Sequence, residues 1–236
     1  IITVNGNDNV GMAIFQGKTA GDPISNFQNI NITVNGSNNV GFLRGTSGDP
    51  NTNEITLDST KLGSIKFGGD LTTPGSADIA VGTNNALIRS EKNKIKLDTA
   101  ITTGTLDPTP ASSTPPAAAQ NSILQAVKDA QVETTASGKI KVTSGYKVYG
   151  VTAGFDGGSG ASLTTAGDID MTARESIGLA VSANSTGTNT ANVKLTGKKN
   201  TAIYNSGTFN QEGNITVDGE KSNGIFNKGS FTLTGN

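Results

Sequence analysis

Residues 200–214 read N-T-A-I-Y-N-S-G-T-F-N-Q-E-G-N, and residues 222–236 read S-N-G-I-F-N-K-G-S-F-T-L-T-G-N. At this offset of 22 residues Ile203/Ile225, Asn205/Asn227, Gly207/Gly229, Phe209/Phe231, Gly213/Gly235 and Asn214/Asn236 are identical. A second echo lies near the start, where I-T-V-N-G-N-D-N-V-G from Ile2 returns as I-T-V-N-G-S-N-N-V-G from Ile32. Self-similarity at 20–30 residues marks stacked supersecondary units, each burying its apolar face against the next. A stack of this kind has a long exposed side and no obligatory pocket.

Short triplets carry the same message along the chain. Ile2-Thr3-Val4, Ile32-Thr33-Val34, Ile55-Thr56-Leu57, Ile79-Ala80-Val81, Ile95-Lys96-Leu97, Ile140-Lys141-Val142, Ile169-Asp170-Met171, Val193-Lys194-Leu195 and Ile215-Thr216-Val217 alternate inward, outward, inward. That period of two is the signature of a strand with one buried face. Turns rich in Gly, Asn, Asp and Ser follow most of them, at places where positive φ is needed. The triplets are irregularly spaced, which favours coils of constant cross-section carrying loops of variable length. Thr19–Pro23 and Thr46–Pro50 read as equivalent turns on adjacent coils. The fold expected is all-β, a right-handed parallel β-helix (solenoid) of about nine coils. At about 4.8 Å per coil it makes a rod about 40 Å long. Residues 1–236 form a single β-helix unit, expected to be a fragment because the chain opens and stops inside a repeat.

One segment looks foreign. Residues 104–117 are rich in Thr, Pro, Ser and Gly and read as an extended linker. Thr114-Pro115-Pro116 then resembles a helix N-cap followed by first-turn prolines. Ala117 to Glu133 is built from strong helix formers. The expectation is one helical insertion within residues 104–137, thrown out from the coils.

Composition narrows the function. Leu, Ile, Val and Phe make 52 of 236 residues, and the net charge is −1, so the chain folds with a thin core and little self-repulsion. The sequence pI near 5.5 and the lack of a basic cluster argue against nucleic acid as a partner. His and Cys are absent, which removes imidazole-based triads, thiolate or His-ligated zinc and a disulfide framework. No cofactor, metal or catalytic residue is expected, and the chain reads as a non-enzyme.

Carboxylate chemistry is the remaining enzymatic lead. Asp168 and Asp170 point from the same strand face, with Arg174 and Glu175 following. β-Helix polysaccharide-cleaving enzymes use such groups, although outward strand positions are ordinarily just polar. Gly157 to Leu163 approaches the calcium-binding nonapeptide, but Ser162 stands where a carboxylate ligand belongs. Tyr146 and Tyr149, close to Phe155 and Asp156, are aromatics suited to stacking on sugar rings or anchoring a protein. Recognition on a rigid scaffold usually falls to loops and insertions. The candidate partner-binding residues are therefore Gln120, Ile123, Leu124, Val127, Lys128 and Gln131 of the insertion, with Tyr146 and Tyr149 behind it.

The phrase G-N-I-T-V-D-G-E-K-S-N-G-I-F-N-K-G-S-F-T-L-T-G-N at 213–236, preceded by A-I-Y-N-S-G-T-F, resembles the passenger repeats of large type V autotransporters. It is most similar to those of fusobacterial outer-membrane adhesins. The resemblance is strongest over residues 190–236, holds in style over 1–100, and does not extend to 104–137. It implies a β-helical stalk on a Gram-negative cell surface, attached to the outer membrane through a C-terminal β-barrel outside this fragment. It also implies attachment to host cells or other bacteria through a glycan or protein receptor, and brings over no binding residue. Two other functions stay open: a passive spacer holding a distal binding head, and a polysaccharide-cleaving enzyme centred on Asp168, Asp170 and Arg174.

Overall fold

The computed structural model describes residues 1–15, 27–45, 54–68, 84–105, 121–155 and 160–234. Within them lie twenty-three strands and no helix. In chain order the strands are β1 (Ile2–Val4), β2 (Val10–Ile14), β3 (Ile30–Val34), β4 (Val40–Arg44), β5 (Glu54–Asp58), β6 (Leu62–Phe67), β7 (Ala86–Glu91) and β8 (Lys94–Asp98). Next come β9 (Ile101–Thr103), β10 (Asn121–Val127), β11 (Gln131–Thr134), β12 (Ile140–Val142), β13 (Val148–Ala153), β14 (Ser162–Thr165), β15 (Ile169–Thr172) and β16 (Ile177–Val181). The last are β17 (Thr186–Asn189), β18 (Val193–Thr196), β19 (Thr201–Asn205), β20 (Thr208–Gln211), β21 (Ile215–Asp218), β22 (Asn223–Asn227) and β23 (Ser230–Leu233).

Every ladder among the described residues is parallel, and from β3 to β20 each strand except β6 is hydrogen-bonded to the strand three places further along the chain. Four sheets result: β1-β3-β6; β9-β12-β15-β18-β21; the eight strands from β2 to β22; and the seven from β5 to β23. The first two are neighbours along one side, because β6 lies against β9. At that junction the Thr103 hydroxyl accepts the Phe67 backbone N–H at 3.0 Å. The arrangement is all-β and solenoid-like, with three strands per repeat.

The echoes are the register. Ile2 pairs with Ile32 and Val4 with Val34, while Ile203 pairs with Ile225 and Asn205 with Asn227. The eight strands of the second side correspond to eight coils, where about nine were expected. The excess arose because the triplets belong to two different sides. Those at Ile2, Ile32, Ile140, Ile169, Val193 and Ile215 lie on the first side, whereas Ile55–Leu57 and Ile95–Leu97 lie on the third. Ile79–Val81 and the turns at Thr19–Pro23 and Thr46–Pro50 fall outside the described residues.

The expected helix is overturned over residues 121–133. Asn121–Val127 is β10, hydrogen-bonded between β7 and β13, and Gln131–Thr134 is β11, between β8 and β14. Ladders on both edges satisfy the backbone polar groups, Ile123, Leu124 and Ala126 belong to the core cluster, and Val127 beside them is only 2% exposed. Each such burial contributes about 1.5–3 kcal/mol for the larger side chains, more than the tenths of a kcal/mol per residue at stake in helix propensity. Residues 106–120, which include the Pro-rich stretch and Ala117–Gln120, lie outside the described residues.

One hydrophobic cluster runs from Val4 to Phe209 and unites all three sides. Its inner columns are like on like, as with Ile140, Ile169 and Val193 or Phe209 under Phe231. A polar column marks the corner between the first and second sides. Asn9 N–H donates to Asn39 Oδ1 (2.7 Å), Asn39 to Asn85 (2.9 Å) and Asn85 to Asn121 (3.2 Å), each one coil further along. Val148 interrupts the column, which resumes with Ser176, Asn200 and Ser222 as acceptors. Immediately before Asn9, Asn39, Asn85, Val148, Ser176, Asn200 and Ser222 the backbone is left-handed: Asp8, Asn38, Asn84, Lys147, Glu175, Lys199 and Lys221 all have φ between 50° and 60°. Asn and Asp tolerate that conformation better than most residues. At Gly36, where φ is 83°, a Cβ would collide with the Gly6 carbonyl oxygen one coil away.

Candidate ligand-binding face

Among the described residues the left-handed corner turns project side chains beside the start of the eight-stranded sheet. In the last four coils these are Lys147, Glu175, Lys199 and Lys221, a charged column at the spacing of the ladder. Two residues on, the outward positions Tyr149, Ile177 and Thr201 stack in register. Between the two columns opens a cleft of about 400 Å³ lined by Lys147, Tyr149, Glu175, Ile177, Lys199 and Thr201.

Glu175 organises its charge. Its Oε2 accepts the Tyr146 hydroxyl at 3.2 Å, and Oε1 accepts Lys199 Nζ at 3.3 Å with Arg174 Nη1 at 3.8 Å. Burial pushes the Glu175 carboxyl up, but the hydrogen bonds from Lys199 and Tyr146, with the nearby lysine charges, outweigh it and hold the group below its usual range. The Arg174 guanidinium lies 4.3 Å from the Tyr146 ring centroid and Lys147 Nζ 5.3 Å from it. Three cations thus stand around one carboxylate.

A line of aromatic rings leads away from the cleft. Tyr149 and Phe155 meet edge-on at 6.1 Å, Phe155 and Tyr204 at 6.1 Å, and Tyr204 and Phe226 stack at 5.4 Å with an 11° interplanar angle. Lys228 Nζ sits 5.3 Å from the Phe226 ring, which is 41% exposed. Tyr204 and Phe226 occupy the same outward position on adjacent coils. Rings held at this spacing by a rigid ladder form a preorganised platform with apolar faces and a phenolic rim.

The sequence-predicted residues divide. Tyr149 lines the cleft. Tyr146 is only 4% exposed, stacked beneath Arg174, and positions Glu175 instead of facing a partner. Ile123 and Leu124 belong to the core cluster, and Val127 is buried in register with Glu91, because the apolar stripe assigned to a helix is one strand's buried residues. Lys128 sits at the opposite end of the second sheet, paired with Glu91 at 2.9 Å. Gln131 is exposed at the head of β11, in register with Lys94 and Ser162. Gln120 lies outside the described residues. Asp168 accepts both the backbone and side-chain N–H of Asn192, and Asp170 lies in register between Lys141 and Lys194. Ser162 is part of β14, while Asp156 and Gly157–Ser159 of the nonapeptide lie outside the described residues. No group of three or more acidic residues able to hold a metal occurs among the described residues.

Sequence reasoning missed Lys199, Tyr204 and Phe226, although a signal was present. Tyr204 and Phe226 follow the inward Ile203 and Ile225 of the 22-residue echo, so period two places both rings outward. Comparisons with protein-family models, curated proteins and solved structures find no match.

Proposed function

We propose that this chain is part of a surface-displayed autotransporter adhesin. Residues 1–236 would form one right-handed solenoid, held outside the outer membrane of a Gram-negative cell by a β-barrel beyond this fragment. The right hand is the one that parallel crossover connections adopt almost without exception. The second side is the receptor-binding side, with the aromatic line and its flanking lysines as the contact surface for a glycan on a host cell or another bacterium.

The observation that carries this reading is the outward run Tyr149, Phe155, Tyr204 and Phe226, the first three half-buried and the last exposed. A stalk coil gains nothing in its core from outward rings, whereas sugar faces and aromatic rings stack through apolar C–H surface. The test uses the whole chain in a cell-attachment assay and against a panel of immobilised oligosaccharides. The double variant Tyr204→Ala with Phe226→Ala is expected to lose attachment while melting within a few degrees of the parent. Attachment that survives this change sinks the assignment. The uninterrupted core from Val4 to Phe209 favours a second reading, a passive spacer. Replacing residues 121–234 by plain coils of equal number distinguishes the two, since a spacer keeps full attachment.

A further inference from the structure

Resting on that glycan-binding reading, we propose that the cleft at Lys147, Glu175 and Lys199 is a subsite for a carboxylate-bearing sugar ring within an oligosaccharide. The charge balance argues for an acid. Glu175 stands between Lys147 and Lys199, so these two lysines keep one positive charge in excess of the carboxylate. Among the described residues Lys147 makes no ion pair; its ammonium rests 5.3 Å from the Tyr146 ring centroid and lines the cleft. Two lysines at one mouth supply charge-assisted donors for a carboxylate, the strong class of hydrogen bond.

The rest of the wall fits the remainder of a sugar. Tyr149 and Ile177 offer apolar surface for one ring face, the Thr201 hydroxyl donates or accepts, and Glu175 keeps lone pairs beyond those taken by Tyr146 and Lys199. The volume of about 400 Å³ lies within the range of small-molecule sites. A phosphate is disfavoured because the corner offers no backbone nest. The N–H of Lys147 donates to Arg174, that of Glu175 to Lys198, and that of Lys199 to Glu220, all 2.9–3.1 Å away through carbonyls of the next coil. An acidic peptide fits less well than a saccharide because the cleft opens onto the aromatic line, which continues to Tyr204 and Phe226.

The experiment is calorimetric titration of the whole chain with trigalacturonate, with the same trisaccharide reduced at its carboxyls to the neutral galactose form, and with hexaglutamate. Trigalacturonate is expected to bind about tenfold or more tighter than the neutral trimer, the factor set by about 1.4 kcal/mol from one charge-assisted contact. The advantage should shrink as salt rises. Lys147→Met with Lys199→Met is expected to erase the preference, so that both trimers bind with the same affinity. Equal affinity for both trimers, abolished by Tyr204→Ala with Phe226→Ala, overturns the carboxylate subsite and leaves the adhesin reading standing. A preference untouched by the lysine changes also overturns the subsite. Hexaglutamate binding as well as trigalacturonate, with the same lysine dependence, assigns the cleft to an acidic protein segment instead. Failure of every saccharide to bind, with cell attachment intact, rejects the subsite; loss of attachment by the parent chain rejects the reading beneath it.

Discussion

Asn200 joins three coils: its side-chain Oδ1 accepts the Ser176 backbone N–H at 3.0 Å, its Nδ2 donates to the Ala173 carbonyl at 2.8 Å, and its backbone N–H donates to Ser222 Oγ at 3.0 Å. The position is fully buried. Asn200→Ala removes an acceptor from a buried N–H and a donor from a buried carbonyl. An unsatisfied buried group costs about 1–3 kcal/mol. The denaturant midpoint is expected to fall accordingly, and Asn200→Asp to fall at least as far, because it buries a charge and sets an acceptor against the Ala173 carbonyl. An unchanged midpoint for the alanine variant contradicts the role given to this column.

Phe209 lies under Phe231 with ring centroids 5.7 Å apart and planes 6° from parallel, and its other edge packs against Gly187. A Cβ built at Gly187 stands 2.5 Å from two atoms of the Phe209 ring. Gly187→Ala is therefore expected to destabilise by about 1–3 kcal/mol through overpacking. Phe209→Ala should cost about 3–5 kcal/mol by leaving a cavity. The double variant Gly187→Ala with Phe209→Leu should recover part of the first loss, which a double-mutant cycle measures as coupling.

Lys94 bridges three coils on the third side, with Nζ at 2.6 Å from Glu133 Oε2 and 2.9 Å from Glu54 Oε2. The hydrogen bond to Glu133, then that to Glu54, raises the Lys94 pKa, and the reciprocal bond from Lys94 lowers that of Glu133. The signs follow from linkage. The Glu133 contribution is present above the ordinary carboxylate pKa and disappears as pH falls through its depressed value. The Lys94 contribution is present below its ordinary pKa and disappears as pH rises through its elevated value. Stability should thus be flat through neutrality and fall on both limbs. Glu133→Gln is expected to flatten the acid limb, and added salt to shrink the effect because the groups are about a third exposed. A steeper acid limb in Glu133→Gln contradicts the assignment.

Arg44 points inward from β4 and is fully buried, with Nη1 donating to the Ile14 and Gly45 carbonyls while Nε and Nη2 have no hydrogen-bond partner among the described residues. Burial pushes its pKa down. A buried charge with unpaired donors is costly, so Arg44→Met, which keeps the side-chain length, is expected to leave the melting midpoint unchanged or raise it. A clear drop on calorimetry means that the two carbonyl contacts outweigh the desolvation.

The repeats were readable because parallel stacking pairs equivalent positions, so a sequence offset is also a ladder register. The 22-residue echo appears as Ile203 on Ile225 and Phe209 on Phe231, and the 30-residue echo as Ile2 on Ile32. Residues 121–133 were misread because A-A-A-Q-N-S-I-L-Q-A-V has local helix preference, while its strand partners lie about 30 residues away in sequence. The clue was polar: Asn121 follows Asn39 and Asn85 in the corner column, one residue ahead of Ser122 as they are ahead of Val40 and Ala86.

Alternation, echoes and composition were enough to establish strands with one buried face, parallel stacking of like residues, and the absence of imidazole and thiol chemistry. Each follows from a local pattern or from a simple count. The side occupied by each strand and the grouping of Lys147, Glu175 and Lys199 at one cleft came from the folded chain alone. So did the meeting of Tyr149, Phe155, Tyr204 and Phe226. Apart from Tyr149 and Phe155, the members of each group are more than twenty positions apart in the chain and are neighbours only through coil spacing, which depends on how much chain each turn takes to come round. That length varies from 46 residues between Val40 and Ala86 to 22 between Thr201 and Asn223, and it is fixed by which residues close the core.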